Sequence, residues 1–237
     1  MTSSTIPARV ALMVPSSNTM MEPDLFRELD GVATLHTARM YLPDPVTTAG
    51  EIRLLDEFAI PAARDLAGVQ PSVAVFGCTS AGPLRGAAGE RQLREELGEI
   101  MGAPVVGVLT AAVQALRRRG AARISVLTPY TEELNPAIER TLAGDFEVLK
   151  IFGMGIANNR DIGRCPPESV VEAADRAVAA GSDAVFISCT NLCALEARAA
   201  IETRFGIPTV TANSAVIEEV RRVLGASEEP PSAGSGA

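Results

Sequence analysis

The sequence predicts an α/β fold built twice. Short apolar runs alternate with longer amphipathic segments, most of the runs are unbroken, and three blocks of the first half recur in order in the second. Unbroken Val/Ile/Phe runs are the mark of strands buried on both faces of a parallel sheet. Strand and helix in alternation is the pattern that lays such a sheet down.

The elements follow in order. Arg9–Val14 predicts the first buried strand, ending in the polar turn Pro15-Ser16-Ser17-Asn18-Thr19. The region around His36 reads as an edge strand, where a structural or surface histidine fits. Ile52–Leu66 predicts a helix, because Leu54, Leu55, Phe58 and Ile60 fall near one side of it. Val73–Phe76 is a second buried strand, and the Glu/Arg run Glu90–Glu99 reads as the solvated face of a helix. After a strand at Val105–Val108, Ala111–Arg119 predicts a helix whose closing arginines suit the negative end of a helix dipole. Ile124–Leu127 and Phe146–Ile151 are strands, followed by a polar loop over 157–164. Pro167–Ala180 opens with proline and stops before Gly181, as helices do. Strands at Ala184–Ile187 and Thr209–Thr211 complete the series.

The duplication rests on three matched blocks. Arg9-Val-Ala-Leu-Met-Val-Pro15 matches Arg123-Ile-Ser-Val-Leu-Thr-Pro129. Val73-Ala-Val-Phe-Gly-Cys78-Thr79 matches Ala184-Val-Phe-Ile-Ser-Cys189-Thr190, and Gly102-Ala-Pro104 matches Gly206-Ile-Pro208. Three blocks in one order predict two lobes related by a pseudo-two-fold. The seam falls at Arg117–Ala122, giving a first lobe over 1–117 and a second over 118–213. The stretch 226–237 holds Ser, Glu, Pro and Gly without apolar anchors and predicts a disordered tail, with 1–6 loose as well.

Composition removes several kinds of chemistry. The chain of 237 residues carries 21 basic and 29 acidic side chains, a net charge of −8, without a basic cluster. That is a poor basis for holding nucleic acid, whose binding rests on phosphate neutralisation. No apolar run approaches the ~20 residues of a membrane helix, and the start lacks the pattern of a signal peptide. A cytoplasmic protein with free thiols is expected, since four cysteines (Cys78, Cys165, Cys189, Cys193) are too few for a disulfide scaffold. The single histidine, His36, leaves no poly-His metal site, and Lys150 is the only lysine. Chemistry by cysteine, carboxylate, tyrosine or that one lysine remains.

The two cysteines of the repeat are the candidates. Ligands of parallel α/β sheets bind at the carboxyl ends of strands, and both Cys78 and Cys189 stand there. One such cysteine alone reads as inert packing. Two at matching positions, each followed by threonine, read as a site. Thr79 and Ser80 are expected to cap a helix whose N-terminus would meet an anion and lower the Cys78 pKa, and Thr190-Asn191 repeats the arrangement. Ser16, Ser17 and Asn18 form a turn able to bind a carboxylate through side chains and backbone N–H groups. Tyr130 is at the equivalent turn of the second half, as a hydrogen-bond donor or acid. Cys193, one helical turn beyond Cys189, reads as packing, and Cys165 has no counterpart and no role.

Gly-Cys78-Thr79 paired with Ser-Cys189-Thr190, with Val14-Pro15-Ser16-Ser17-Asn18-Thr19 early and Pro129-Tyr130 midway, resembles the aspartate/glutamate racemase superfamily. Within it the sequence is similar to the maleate cis–trans isomerase and arylmalonate decarboxylase branch, over about residues 8–225. The resemblance implies two flavodoxin-like lobes around a small cleft, no cofactor and no metal, and a homodimer or homotetramer. It implies a last helix near 214–225 that crosses back onto the first lobe. Carried over by position, Cys78 is the nucleophile and Cys189 the thiol that handles protons, while Asn18, Tyr130 and Asn159 hold a dicarboxylate. Decarboxylases of this type carry glycine in place of the first cysteine, so Cys78 points to isomerisation of maleate to fumarate. A two-thiol racemase of amino acids or hydantoins and a non-catalytic carboxylate binder are the alternatives. Residues after Cys78 are more racemase-like than those of typical maleate isomerases.

Overall fold

The computed structural model describes residues 7–226; the loose ends expected over 1–6 and 226–237 lie, Ala226 apart, outside the described residues. The first half runs β1 (Ala8–Pro15), α1 (Met21–Glu28), β2 (Ala33–Met40) and α2 (Thr48–Arg53), which passes through a π turn (Leu54–Phe58) into α3 (Ala59–Ala67). It continues with β3 (Val73–Phe76), a 3₁₀ turn (Gly82–Arg85), α4 (Gly86–Met101), β4 (Val105–Gly107) and α5 (Val108–Arg118). The second half runs β5 (Arg123–Thr128), α6 (Asn135–Leu142), β6 (Glu147–Gly153), α7 (Asn159–Ile162), α8 (Pro167–Ala177), β7 (Ala184–Ile187), α9 (Ala194–Phe205), β8 (Thr209–Thr211) and α10 (Ala212–Val223).

Two four-stranded parallel sheets result, ordered β2-β1-β3-β4 and β6-β5-β7-β8. The second order is the first moved on by one repeat, so the duplicated blocks of sequence are duplicated sheets. Both follow the flavodoxin-like strand order. The strands that read as unbroken apolar runs are the inner ones: β3 and β7 are buried at every residue, whereas β2, the strand of His36, is a half-buried edge. Phe76 and Phe186 fill equivalent places in the two cores, and truncating either to alanine costs about 3–5 kcal/mol.

Register places the functional turns. Met13 of β1 lies level with Phe76 of β3, so the Ser16-Ser17-Asn18 turn and Cys78 leave the sheet side by side. Leu127 of β5 lies level with Ile187 of β7, which does the same for Tyr130 and Cys189. The seam between the lobes is a helix pair. α5 and α10 pack along each other; α5 also touches β7 and β8, and α10 touches β3 and β4.

The segment read as a loop over 157–164 holds the short helix α7, and α5 starts at Val108 rather than Ala111; three further boundaries differ for identifiable reasons. The helix expected over Pro167–Ala180 stops at Ala177, because Ser125 Oγ of β5 accepts the Ala179 N–H (2.9 Å) and Ser182 Oγ donates to the Ala179 carbonyl (2.9 Å). α10 starts two residues before Ser214, where Thr211 and Ser214 form a reciprocal capping box. The turn after Cys78 differs most: the helix begins at Gly86, Gly82 and Pro83 open a 3₁₀ turn, and neither Thr79 nor Ser80 caps it. The expected α-helix field on Cys78 is therefore replaced by a single backbone donor, the Ala81 N–H at the start of the 3₁₀ turn. Gly102 and Gly206, the repeated glycines, both end their helices in the left-handed conformation, at φ of 65° and 66°.

Gly77 brings β3 close to β1 just before Cys78. A Cβ there would meet the Met13 carbonyl oxygen at 2.8 Å and Met21 Sδ at 2.6 Å. The backbone oxygen cannot step aside without moving β1, so Gly77→Ala is expected to lower stability by about 1–3 kcal/mol in urea melts. The same change displaces Cys78.

Candidate active site

The carboxyl ends of β1, β3, β5 and β7 face one another across the lobe boundary. Cys78, Cys189, Tyr130, Asn18, Thr79, Ser80, Asn159, Thr190 and Asn191, all named by the sequence, line one pocket there. Its free space is about 10 Å³, at the lower limit for one water molecule. Ser16 and Ser17 are not in it. They line an outer vestibule of about 400 Å³ with Thr19, Tyr41, Asp44 and Arg160. Leu42, which lines both, separates the two spaces.

The side chains that close the pocket also tie the lobes together. Asn18 Oδ1 accepts the N–H groups of Met20 and Met21 (3.1 and 3.0 Å), fixing the start of α1, and its Nδ2 donates to Thr190 Oγ1 (3.0 Å). Thr190 Oγ1 in turn donates to the Gly77 carbonyl (3.0 Å), beside Cys78. Asn191 is a tie more than a ligand. Its Oδ1 accepts the Thr19 N–H (2.8 Å), and its Nδ2 is directed at the Asn159 carbonyl (2.7 Å) and Oδ1 (3.1 Å). Asn159 Nδ2 reaches Ser17 Oγ (2.8 Å), and its N–H donates to Asp44 Oδ1 (2.8 Å). Val46 N–H donates to the Ala157 carbonyl (2.9 Å). The segment after β2 is thus strapped across the mouth to the loop before α7. Behind the site, Asn213 Nδ2 joins Asp24 Oδ2 (2.7 Å) to the Thr190 carbonyl (3.2 Å), and burial pushes the Asp24 carboxyl up to about 6.

The two thiols have opposite surroundings. Cys189 faces donors. The Asn191 N–H is directed at its sulfur (3.3 Å), the Leu192 N–H and the Tyr130 hydroxyl also bond to it, and burial leaves its pKa at about 11. Cys78 has the Ala81 N–H and Ser80 Oγ nearby but, unlike Cys189, also faces an acceptor. Its Sγ–H donates to Glu51 Oε2 (3.2 Å), and burial together with the Glu51 charge pushes the thiol well above its ordinary value. Ser80 Oγ donates to the other carboxylate oxygen of Glu51. Burial raises the Glu51 carboxyl as well. Thr79 Oγ1 is buried in the same pocket without a hydrogen-bond partner among the described residues, which leaves it open to a ligand. No lysine, arginine or histidine lines the pocket among the described residues.

Glu51 is the residue that sequence reasoning missed. It is buried although charged, and its position shows why. Glu51, Leu54, Leu55 and Phe58 are spaced i, i+3, i+4, i+7, so the carboxylate sits on the apolar stripe of its helix. A charge in a core stripe was the available signal. The remaining cysteines stand apart: Cys193 donates to Glu196 Oε2 (3.2 Å), and Cys165 is half-buried near the Pro166 carbonyl. His36 reaches Thr34 Oγ1 (3.1 Å) on the edge strand. No helix among the described residues is long and apolar enough to cross a membrane.

Comparison with known proteins agrees with this geometry. The family model described as arylmalonate decarboxylase matches residues 11–236. A maleate isomerase of Geobacillus stearothermophilus is 26% identical over 242 residues, with 96% of each chain covered. The structure of the Nocardia farcinica maleate cis–trans isomerase bound to TRIS superposes with a TM-score of 0.88 at 26% identity, covering 96% of each chain. A mutant of that Nocardia farcinica enzyme with a covalently bound succinylcysteine intermediate shares the fold, with a TM-score of 0.86 at 24% identity over 95% of this chain and 96% of that one.

Proposed function

The chain belongs to the arylmalonate decarboxylase family, and from that membership and its own pair of thiols we propose that it isomerises a small cis-unsaturated dicarboxylate, maleate to fumarate, through a thioether adduct. The observation that carries this reading is that Cys78 and Cys189, from equivalent strand ends of the two halves, line a single buried pocket with opposite hydrogen-bonding surroundings. Decarboxylation calls for one proton donor to one carbanion. A second thiol supplies the nucleophile whose addition frees rotation about a double bond.

In this scheme Cys78 sulfur adds to one alkene carbon, and the π pair moves to the neighbouring carbon, which takes a proton from Cys189. The former double bond is now single and turns. Cys189, left as a thiolate, removes the other hydrogen of that carbon, which the turn has brought to face it, the pair re-forms the alkene, and the C–S bond breaks. Tyr130 O–H and the two backbone N–H groups stabilise the Cys189 thiolate between the two proton transfers. Thr79 and the second N–H of Asn18 and of Asn159 are the donors for the substrate carboxylates. The pocket must open to admit the dicarboxylate, and the strap between Asp44, Val46 and the 157–159 loop is the part that parts.

Proton NMR of maleate incubated with the protein tests this directly. The maleate alkene resonance is expected to give way to that of fumarate. Persistence of maleate under conditions where the protein remains folded overturns the assignment.

A further inference from the structure

The two-thiol scheme leaves the proton of Cys78 without a destination, and it leaves unexplained a carboxylate buried against that thiol. We propose that Glu51 is the general base of this site: Oε2 takes the Sγ proton of Cys78 as the sulfur attacks, and returns it when the C–S bond breaks. The chemistry it serves rests on the isomerase reading; the acid–base pairing itself does not.

Geometry selects Glu51. Its Oε2 accepts from Cys78 Sγ at 3.2 Å, and Ser80 Oγ holds Oε1, so the carboxylate is oriented with one oxygen left for the thiol. Around it lie Cys78 and Ser80 after β3, Tyr130 after β5 and Cys189 after β7, with apolar Leu42 and Val46 above and Pro15 and Asn18 beside β1. Among these, only a carboxylate is able to accept a thiol proton near neutrality. No cation lines the pocket among the described residues, and although the Ala81 N–H at the start of the 3₁₀ turn bonds to Cys78, no α-helix N-terminus stands there to create a free thiolate.

Charge accounting gives the physical reason. A thiolate formed alone in a buried, cation-free pocket carries the full desolvation penalty. Passing the proton to Glu51 leaves the pair with one negative charge before and after. When the Sγ–H bond breaks, the O–H bond forms; the sulfur pair makes the C–S bond; the π pair receives the Cys189 proton. The net result moves one negative charge from Glu51 to Cys189, where Tyr130 O–H and the N–H groups of Asn191 and Leu192 are already aimed. The two halves of the repeat have thus diverged into a base side and an acid side.

The experiment compares the whole protein with Glu51→Gln and Ser80→Ala, reading maleate turnover and, separately, alkylation of Cys78 by iodoacetamide, each from pH 5 to pH 10. Wild-type rates are expected to rise as Glu51 ionises and then level off. Glu51→Gln is expected to lose about 10²- to 10⁴-fold near neutrality and to climb about tenfold per pH unit into the alkaline range, because the thiol must now lose its proton to water. Ser80→Ala removes a bond to the ionised carboxylate and is expected to move the acid limb to higher pH. This keeps the test open should Glu51→Gln not fold. If both variants keep the wild-type profiles, the proposal falls. If alkylation shows the predicted change while maleate is untouched, Glu51 stands as the base and the isomerase reading falls instead.

Discussion

Cys78→Ala is expected to abolish isomerisation, with kcat/KM falling on the order of 10⁴-fold or more, the scale seen when a covalent nucleophile is removed. The reason is specific to this pocket. Cys189 is pushed up to about 11 and surrounded by donors, so it has no acceptor to take its proton and does not replace Cys78 as nucleophile. The protein remains folded, because deleting one sulfur at the end of β3 removes little buried area. Mass spectrometry completes the test: acid-quenched wild-type protein incubated with maleate carries an adduct one maleic acid heavier on the Cys78 peptide, and Cys78→Ala carries none. An adduct on Cys189 instead would exchange the two roles.

Cys189→Ser is expected to separate the two halves of the reaction. Attack by Cys78 still occurs, and the adduct carbon slowly gains a proton from the site. Release then requires a base to remove a proton from that carbon, and a serine hydroxyl is far too weak an acid to supply its conjugate base near neutrality. Turnover therefore drops about 10²- to 10⁴-fold, while the covalent adduct on Cys78 accumulates to a larger share of the protein than in wild type. Intact-protein mass spectrometry under denaturing conditions measures that share directly. Unchanged turnover with no accumulated adduct would remove Cys189 from the proton-transfer steps. The two variants together distinguish a nucleophile from a proton carrier, which neither does alone.

The legibility of this site in the sequence follows from how local each feature is. A strand end and the residue after it are contiguous in the chain, so the thiols at Cys78 and Cys189 and the turn at Ser16-Ser17-Asn18 could be placed at the carboxyl ends of strands from pattern alone. The roles of the neighbouring side chains were less accessible. Thr79 and Ser80 have the composition of a helix cap, yet Gly82-Pro83 delays the helix to Gly86, and Ser80 turns to Glu51. Asn191, read as a substrate ligand, is occupied by Thr19 and Asn159 across the lobe boundary. Ser16 and Ser17 stand one layer outward, in the vestibule.

What the sequence determined by itself is the scaffold: unbroken apolar runs bury both faces of parallel strands, and a repeated order of such runs yields a repeated sheet with its thiols at equivalent ends. What only the tertiary structure decided is the chemistry that differs between those ends. Glu51 and Cys78 are separated by the π turn, α3 and β3, and Tyr130 reaches Cys189 from another strand. The sequence holds each of these residues, but a thiol's proton affinity depends on what is packed within a few ångströms of it. That neighbour is set by the folding of distant segments together, which makes one cysteine face an acceptor and its counterpart face donors.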